Sequence, residues 1–330
     1  RLLLRRGATG DQIAQRRSAR ELAAALRHLP RDTDPAERAT LLTDLGLAML
    51  LVGKNNGAAQ LHGAVDVLRL ALVDLTPDRH SDMRVTVLNA LADAYSSLAL
   101  RGADGMLERA FAACEAAMAL CSAERTPLLW AEVRNSQGVL YLMRAQRGDR
   151  DALALAIRAL EEAVWKRPPD VVLLKRGESL HNLGDAWTLS ALNGGLGAAE
   201  AAIAAYEEAL TCRSLDVMPM QHATTQNSLG VILLHQGRRT GEAALRAAAA
   251  AFRASLAALG PHGGWMLRGM ALGNLGKTEL ELHRHGVAGS LDRCIAALEG
   301  ALAVFRGIDA GPHAQEAERI LTLARNAASR

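Results

Sequence analysis

Aromatic residues make up only 3% of this 330-residue chain, and its prolines number nine. So few rings and so few chain breakers argue against a β core and suit helices packed closely through small side chains; half of the residues are apolar, with alanine and leucine abundant. An excess of charge of one sign is also missing. With 38 Lys and Arg against 35 Asp and Glu the net charge is +3, which gives no bulk attraction for nucleic acid or for an anionic membrane surface. Lysine is scarce: Lys54, Lys166, Lys175 and Lys277 stand among arginines, and this Arg and Ala enrichment reads as the mark of a GC-rich genome rather than of a site. No apolar run approaches the length of a membrane span, and no charged flank, apolar stretch and cleavage site form a secretory signal. The opening Arg1-Leu2-Leu3-Leu4-Arg5-Arg6 lacks an initiator Met, so the chain is expected to begin inside a longer parent.

Cysteine is sparse too. Cys114 and Cys121 lie seven residues apart, two helical turns, which puts their sulfurs about 10 Å from each other and beyond disulfide reach. They and the isolated Cys212 and Cys294 are expected to be small buried residues in a reducing, cytoplasmic compartment.

What the chain does have is a repeated word. Counting from Gly184 in steps of 46 residues lands on Gly46, Ala92, Gly138, Gly230 and Gly276, preceded by Leu45, Leu91, Gln137, Leu229 and Leu275. A second series, Ala25-Leu26, Ala71-Leu72, Ala117-Met118, Ala163-Val164, Ala209-Leu210, Ser255-Leu256 and Ala301-Leu302, marks a second helix in each period. Fixed self-similarity of this length is the signature of a repeat protein. Between the two series stand glycine turns such as Gly102 and Gly105, Gly148, and Gly194, Gly195 and Gly197; links such as Thr76-Pro77-Asp78, Pro168-Pro169-Asp170 and Gly260-Pro261 lead to the next unit. The predicted organisation is one domain over 1–330. A half-repeat helix (1–30) precedes repeats at 31–76, 77–122, 123–168, 169–214, 215–260 and 261–309, and a capping helix (310–330) follows.

The slots carry a packing logic. Four residues before Gly stand Leu42, Leu88, Leu180 and Leu272, and three after it Met49, Tyr95, Tyr141, Trp187 and Leu233. On the second helix Ala64, Ala110, Ala156, Ala202, Ala248 and Cys294 are small, and four residues on Leu68, Cys114, Leu160, Tyr206, Phe252 and Leu298 fill the space. Alternating small and large slots let helices interdigitate. This pattern is similar to the tetratricopeptide repeat (TPR), although the unit has 46 residues where that family has about 34. A period of 46 also falls in the HEAT and armadillo range; the Leu-Gly and Ala slots favour the TPR likeness. The resemblance implies an all-α fold, a right-handed TPR-like α-solenoid of six helix pairs with a half-repeat at each end. More narrowly, Leu75-Thr76-Pro77-Asp78-Arg79-His80-Ser81-Asp82-Met83-Arg84 leading into Leu88 resembles the long repeats of bacterial CHAT-associated proteins. In that family such arrays accompany a caspase-like protease domain as an interaction or sensing part.

Catalytic motifs are weak. Ala271-Leu272-Gly273-Asn274-Leu275-Gly276-Lys277-Thr278 ends like a phosphate-binding loop but has alanine where the first glycine is needed. Asn193-Gly194-Gly195-Leu196-Gly197 reads as a turn, and His283-Arg284-His285 lacks further metal ligands nearby. No enzyme, cofactor or metal is expected. The row three residues before each glycine, Thr43, Asn89, Asn135, His181, Asn227 and Gly273, lines the concave groove if the TPR likeness holds. Asn89, Asn135 and Asn227, with His181 breaking the series, could then hydrogen-bond the successive amides of an extended peptide, or could instead tie neighbouring helices together. Their groove neighbours Asp93, Glu132, Glu178 and Asp185 favour a basic or neutral segment. The eight-before row, Arg38, Arg84, Trp130, Arg176, His222 and Arg268, sits near helix starts, where a cation opposes the helix dipole, and is expected to contact the carbonyls ending the preceding helix. The expected role is a non-catalytic scaffold holding a polypeptide, with no nucleic-acid or membrane partner. The alternative, carried by the family likeness, is a regulatory or sensing component of a CHAT protease system, with a CHAT-type protease or its regulator as partner.

Overall fold

The computed structural model describes residues 12–30, 32–76, 78–260 and 264–328. The opening residues 1–6, and Pro77 and Pro261 of the predicted links, lie outside the described residues. Fourteen helices and no strand occur among those described, so the fold is all-α. The chain divides into two compact units, Arg1–Asn182 and Leu183–Arg330, the division falling inside one helix.

The first unit holds α1 (Gln12–Arg27), α2 (Pro35–Asn56), α3 (Ala58–Asp74), α4 (Ser81–Ala99), α5 (Met106–Met118), α6 (Pro127–Gln146) and α7 (Arg150–Trp165), and enters α8 (Pro169–Leu192). The longer α2, α4 and α6, called A helices, each pack against the shorter B helix that follows, α3, α5 or α7. One apolar core runs through α2 to α6, built on Leu61, Leu68, Val87, Leu98 and Leu140, all but sealed from solvent. The second unit holds α9 (Ala198–Cys212), α10 (Pro219–Thr240), α11 (Glu242–Ala258), α12 (Trp265–Arg284), α13 (Ser290–Gly307) and α14 (Gly311–Ala328). There α10 pairs with α11 and α12 with α13, and α14 covers α13, closing over Leu298, Ile320 and Leu321.

The recurring glycine has a visible reason. A Cβ added to Gly46 or Gly138 would lie 2.5 Å from Cγ of Leu68 or Leu160. In the second unit a Cβ on Gly184, Gly230 or Gly276 would meet Tyr206, Phe252 or Leu298 at 2.5 to 2.6 Å. Each large partner stands 22 residues after its glycine, on the B helix, so hydrogen in place of methyl sets how closely the pair approaches. The second register departs from this in both members at once: it has Ala92, and 22 residues on the buried Cys114, smaller than any other large-slot residue.

Entry into the A helices recurs at backbone level. His80, Thr126 and Val172 in the first unit adopt φ of −131°, −132° and −136° with ψ of 32°, 56° and 49°. Each donates its N–H to the carbonyl four residues earlier, Thr76, Ser122 or Pro168, at 3.0 to 3.1 Å. Met218 in the second unit repeats the geometry, with φ −136°, ψ 59° and a 2.9 Å bond to Ser214. The A-to-B turns come in two forms. Gly102, Gly148, Gly194 and Gly286 lie ten residues after the repeat position with φ between 76° and 102°, and one to three residues more precede the next helix. In the first and fifth registers a single residue, Gly57 or Gly241, joins the helices. That short joint brings the helices together at Gly53 against Leu61 and Gly237 against Leu245, where a Cβ would lie 2.7 Å from the leucine. Among the described residues no helix is long and apolar enough to cross a membrane.

Candidate functional site

Of the predicted row three residues before the glycine, Asn135 and Asn227 reach the neighbouring A helix. Thr43 is buried and donates its hydroxyl to the Ala39 carbonyl in its own helix at 2.7 Å. Asn135 is buried, and its Oδ1 accepts from Ser179 Oγ at 2.9 Å and from Asn182 Nδ2 at 3.1 Å. His181 is buried as well. In the second unit Asn227 is buried and its Oδ1 accepts from Asn274 Nδ2 at 3.5 Å. The donor stands 47 residues after the acceptor in both Asn–Asn pairs. Asn89 differs: it is half-buried, and its Oδ1 accepts no hydrogen bond among the described residues.

The acidic neighbours are matched by the scarce lysines, which sequence reasoning had set aside. In the first unit Lys54 Nζ lies 2.6 Å from Asp93. Lys175 bridges two registers, 2.8 Å from Glu132 and 3.3 Å from Glu178. All five side chains stay substantially exposed. Burial pushes the Glu178 carboxyl up, but the cations of Lys175, Arg167 and Lys54 outweigh it and hold the group down at about 2. In the second unit Asp185 accepts the Tyr206 hydroxyl at 2.6 Å, with Thr188 at 3.1 Å from the same oxygen. Burial, then the Asp185 charge, pushes that phenol well above its ordinary range. Asp185 therefore orients the ring that faces Gly184. Lys277 sits 3.5 Å from Glu316 on α14.

The eight-before row lies where the dipole argument placed it. Arg84 Nη1 donates to the carbonyls of Leu72 and Leu75 at 3.3 and 2.6 Å, and Arg176 Nη1 to those of Val164 and Arg167 at 2.8 and 3.0 Å. In the second unit His222 Nδ1 donates to the Arg213 carbonyl at 2.8 Å and Arg268 caps the Gly260 carbonyl. A side-chain N–H from the next A helix, from an arginine in three registers, thus ends the preceding B helix. Arg38 instead grips the Asp74 carboxylate with two bonds of 2.7 and 2.6 Å. Trp130 lies beside the Arg134 guanidinium, 5.6 Å from the ring centre.

Two features escaped the sequence reading. The first is a buried arginine with a hydroxyl twelve residues on. Arg167 donates to Ser179 Oγ at 2.6 Å and to the Lys175 carbonyl at 2.7 Å; 46 residues later Arg213 donates to Thr225 Oγ1 at 2.9 Å. The same slots hold the apolar pair Leu75 and Val87 in an earlier register. Burial lowers the Arg167 pKa, opposed by the charges of Glu178 and Glu132. The second is Glu279, completely buried, in the slot three after glycine that is large and apolar in the other five registers. Arg253 pairs with its Oε1 and Arg293 with its Oε2 at 3.0 Å. A carboxylate in an apolar row was the available signal. Among the described residues, no three His, Cys, Asp or Glu side chains group as metal ligands. All four cysteines are free; Cys114, Cys212 and Cys294 are buried and Cys121 is half-buried.

The chain matches no protein-family model and no curated protein.

Proposed function

We propose that the chain is a right-handed TPR-like solenoid of six helix pairs with a half-repeat at each end, and that it is a non-catalytic scaffold holding a polypeptide segment along the concave face of its A helices. The observation that carries this reading is the recurrence, at 46-residue spacing, of one contact: a repeat glycine seated against the large B-helix side chain 22 residues on. Units built on one contact stack on their neighbours, and stacked units present a continuous surface. On that surface Asp93, Glu132 and Glu178 are held by two lysines in exposed pairs that an incoming basic side chain displaces at little cost, while the Asn89 amide oxygen lies buried and without a hydrogen bond among the described residues. A basic or neutral segment fits this arrangement.

The experiment is affinity capture with mass spectrometry, using wild type and the single variants Asn89→Ala, Asn135→Ala and Asn227→Ala, each with its melting temperature. Loss of a captured protein in Asn89→Ala at unchanged melting supports the peptide role. Asn135→Ala and Asn227→Ala should lower melting, because each strips an acceptor from a cross-helix amide. Capture unaffected by all three, together with a solution-scattering profile of a compact particle rather than an elongated one, refutes the reading.

A further inference from the structure

In the second unit a cleft of about 390 Å³ opens beside the buried Glu279, lined by Arg246, Ala249 and Arg253 of α11, Leu282 of α12, Val287, and Arg293 of α13. We propose that it binds a small organic oxyanion, a carboxylate or phosphomonoester attached to an apolar group.

The charge balance argues for an anion. One guanidinium neutralises a buried carboxylate, yet Glu279 draws in two, Arg253 and Arg293, from separate B helices. Arg246 adds a third cation, seven residues before Arg253 and on the same face of α11, and only the exposed Glu242 opposes it, at 2.6 Å. Three cations against two carboxylates leave a positive surplus at the cleft. The donor inventory points the same way. Arg293 is spent: Nε on Glu279, Nη2 on Ser290 Oγ at 3.0 Å, Nη1 on the Ala288 carbonyl at 3.4 Å. Arg253 uses only Nη2 on Glu279, and Arg246 only Nε on Glu242. Their remaining N–H groups have no acceptor among the described residues, and two guanidiniums with free donors suit a planar or tetrahedral oxyanion. Glu279 restrains Arg253 at the wall, a positioning role that explains a carboxylate where every other register keeps a large apolar residue. Between the arginines, Ala249, Leu282 and Val287 line the cleft with apolar surface, which suits a ligand with a hydrocarbon part, and the volume lies in the range of small-molecule sites.

Isothermal titration of the full chain with phenyl phosphate, benzoate and inorganic phosphate tests the assignment. Saturable one-to-one binding of phenyl phosphate or benzoate is expected, with inorganic phosphate weaker. Arg253→Gln and Arg246→Gln should each weaken binding about tenfold, the scale of one charge-assisted bond, while Arg325→Gln on α14 should leave it unchanged. Arg246 is largely exposed, so its variant folds even where Arg253→Gln destabilises Glu279. Absence of saturable binding for all three probes, or binding indifferent to Arg246→Gln, overturns the proposal. Inorganic phosphate binding as tightly as phenyl phosphate refutes the apolar part of the ligand.

Discussion

Alanine at position 138 would place a methyl carbon 2.5 Å from Leu160 Cγ, 2.8 Å from its Cδ2 and 3.3 Å from the Ala156 carbonyl oxygen. Leu160 is completely buried, and the nearest atom is its branch point rather than a free end, so rotation alone cannot relieve the clash. Overpacking of this kind costs about 1–3 kcal/mol, offset by up to about 1 kcal/mol because alanine replaces glycine inside a helix. The expected net loss is about 1–2 kcal/mol. Leu160→Cys alone leaves a cavity and should cost about 2–3 kcal/mol. Together the two changes reproduce the Ala92 and Cys114 combination of the neighbouring register, with the new methyl entering space that the leucine vacates. The double variant should therefore lose less than the sum of the singles by about 1–2 kcal/mol. Urea unfolding followed by far-UV circular dichroism measures all three. Additivity within about 0.5 kcal/mol, or a Gly138→Ala variant more stable than wild type, would show that the paired slots are not in steric exchange.

Three further expectations concern polar and ionisable side chains. Thr225→Val alone should cost about 1–3 kcal/mol because it strips a hydroxyl from the buried Arg213, whereas Arg213→Leu with Thr225→Val copies Leu75 and Val87 and should be near neutral or stabilising; a double variant worse than the single contradicts this. Glu178 titrates at about 2 in the folded chain against an ordinary value of 4.5, so its contribution is complete above pH 4.5 and disappears as pH falls from there toward 2. Urea midpoints of Glu178→Gln should depend less on pH across that window than those of wild type, and parallel curves would remove Glu178 from the explanation. Burial first, with the nearby charges of Asp93 and Glu115, pushes the Cys114 thiol up to about 12, and burial beside Glu279 takes Cys294 to about 11. Iodoacetamide should accordingly modify Cys121 before the other three in the native protein, and earlier labelling of Cys114 or Cys294 would contradict their sealed position.

Periodicity carried the helices and the reason for the glycines, because a contact repeated in every register prints itself on the sequence as a row. The capping arginines were legible on the same ground: an unfavourable dipole position recurring along the chain calls for a recurring partner. What the rows could not supply was pairing between different rows. Asn135 and Asn227 each engage a residue 47 positions on, Lys54 reaches Asp93 across 39 positions, and Lys175 spans 43 to Glu132. None of these offsets is the period, since neighbouring helices meet at a crossing and not in alignment. Arg167, Arg213 and Glu279 were hidden for the opposite reason. Glu279 is a single-register exception inside its row and the Arg167 and Arg213 pair recurs in only two registers, and a consensus averages such exceptions away.

The bond from Arg84 to the Leu72 and Leu75 carbonyls, matched by Arg176 on Val164 and Arg167, makes the helix pair before each of these arginines borrow its terminator from the pair that follows. A chain cut cleanly at a link would leave its last B helix open, however intact that pair's own sequence. Shortened arrays should thus be steadier when they run through the first two turns of the next A helix, up to the borrowed cation, than when they stop at a whole number of repeats. By the same token, duplication of a 46-residue block that includes Arg84 or Arg176 leaves no seam, since the copy arrives carrying the seal its predecessor needs, whereas a block with Trp130 in that slot brings none.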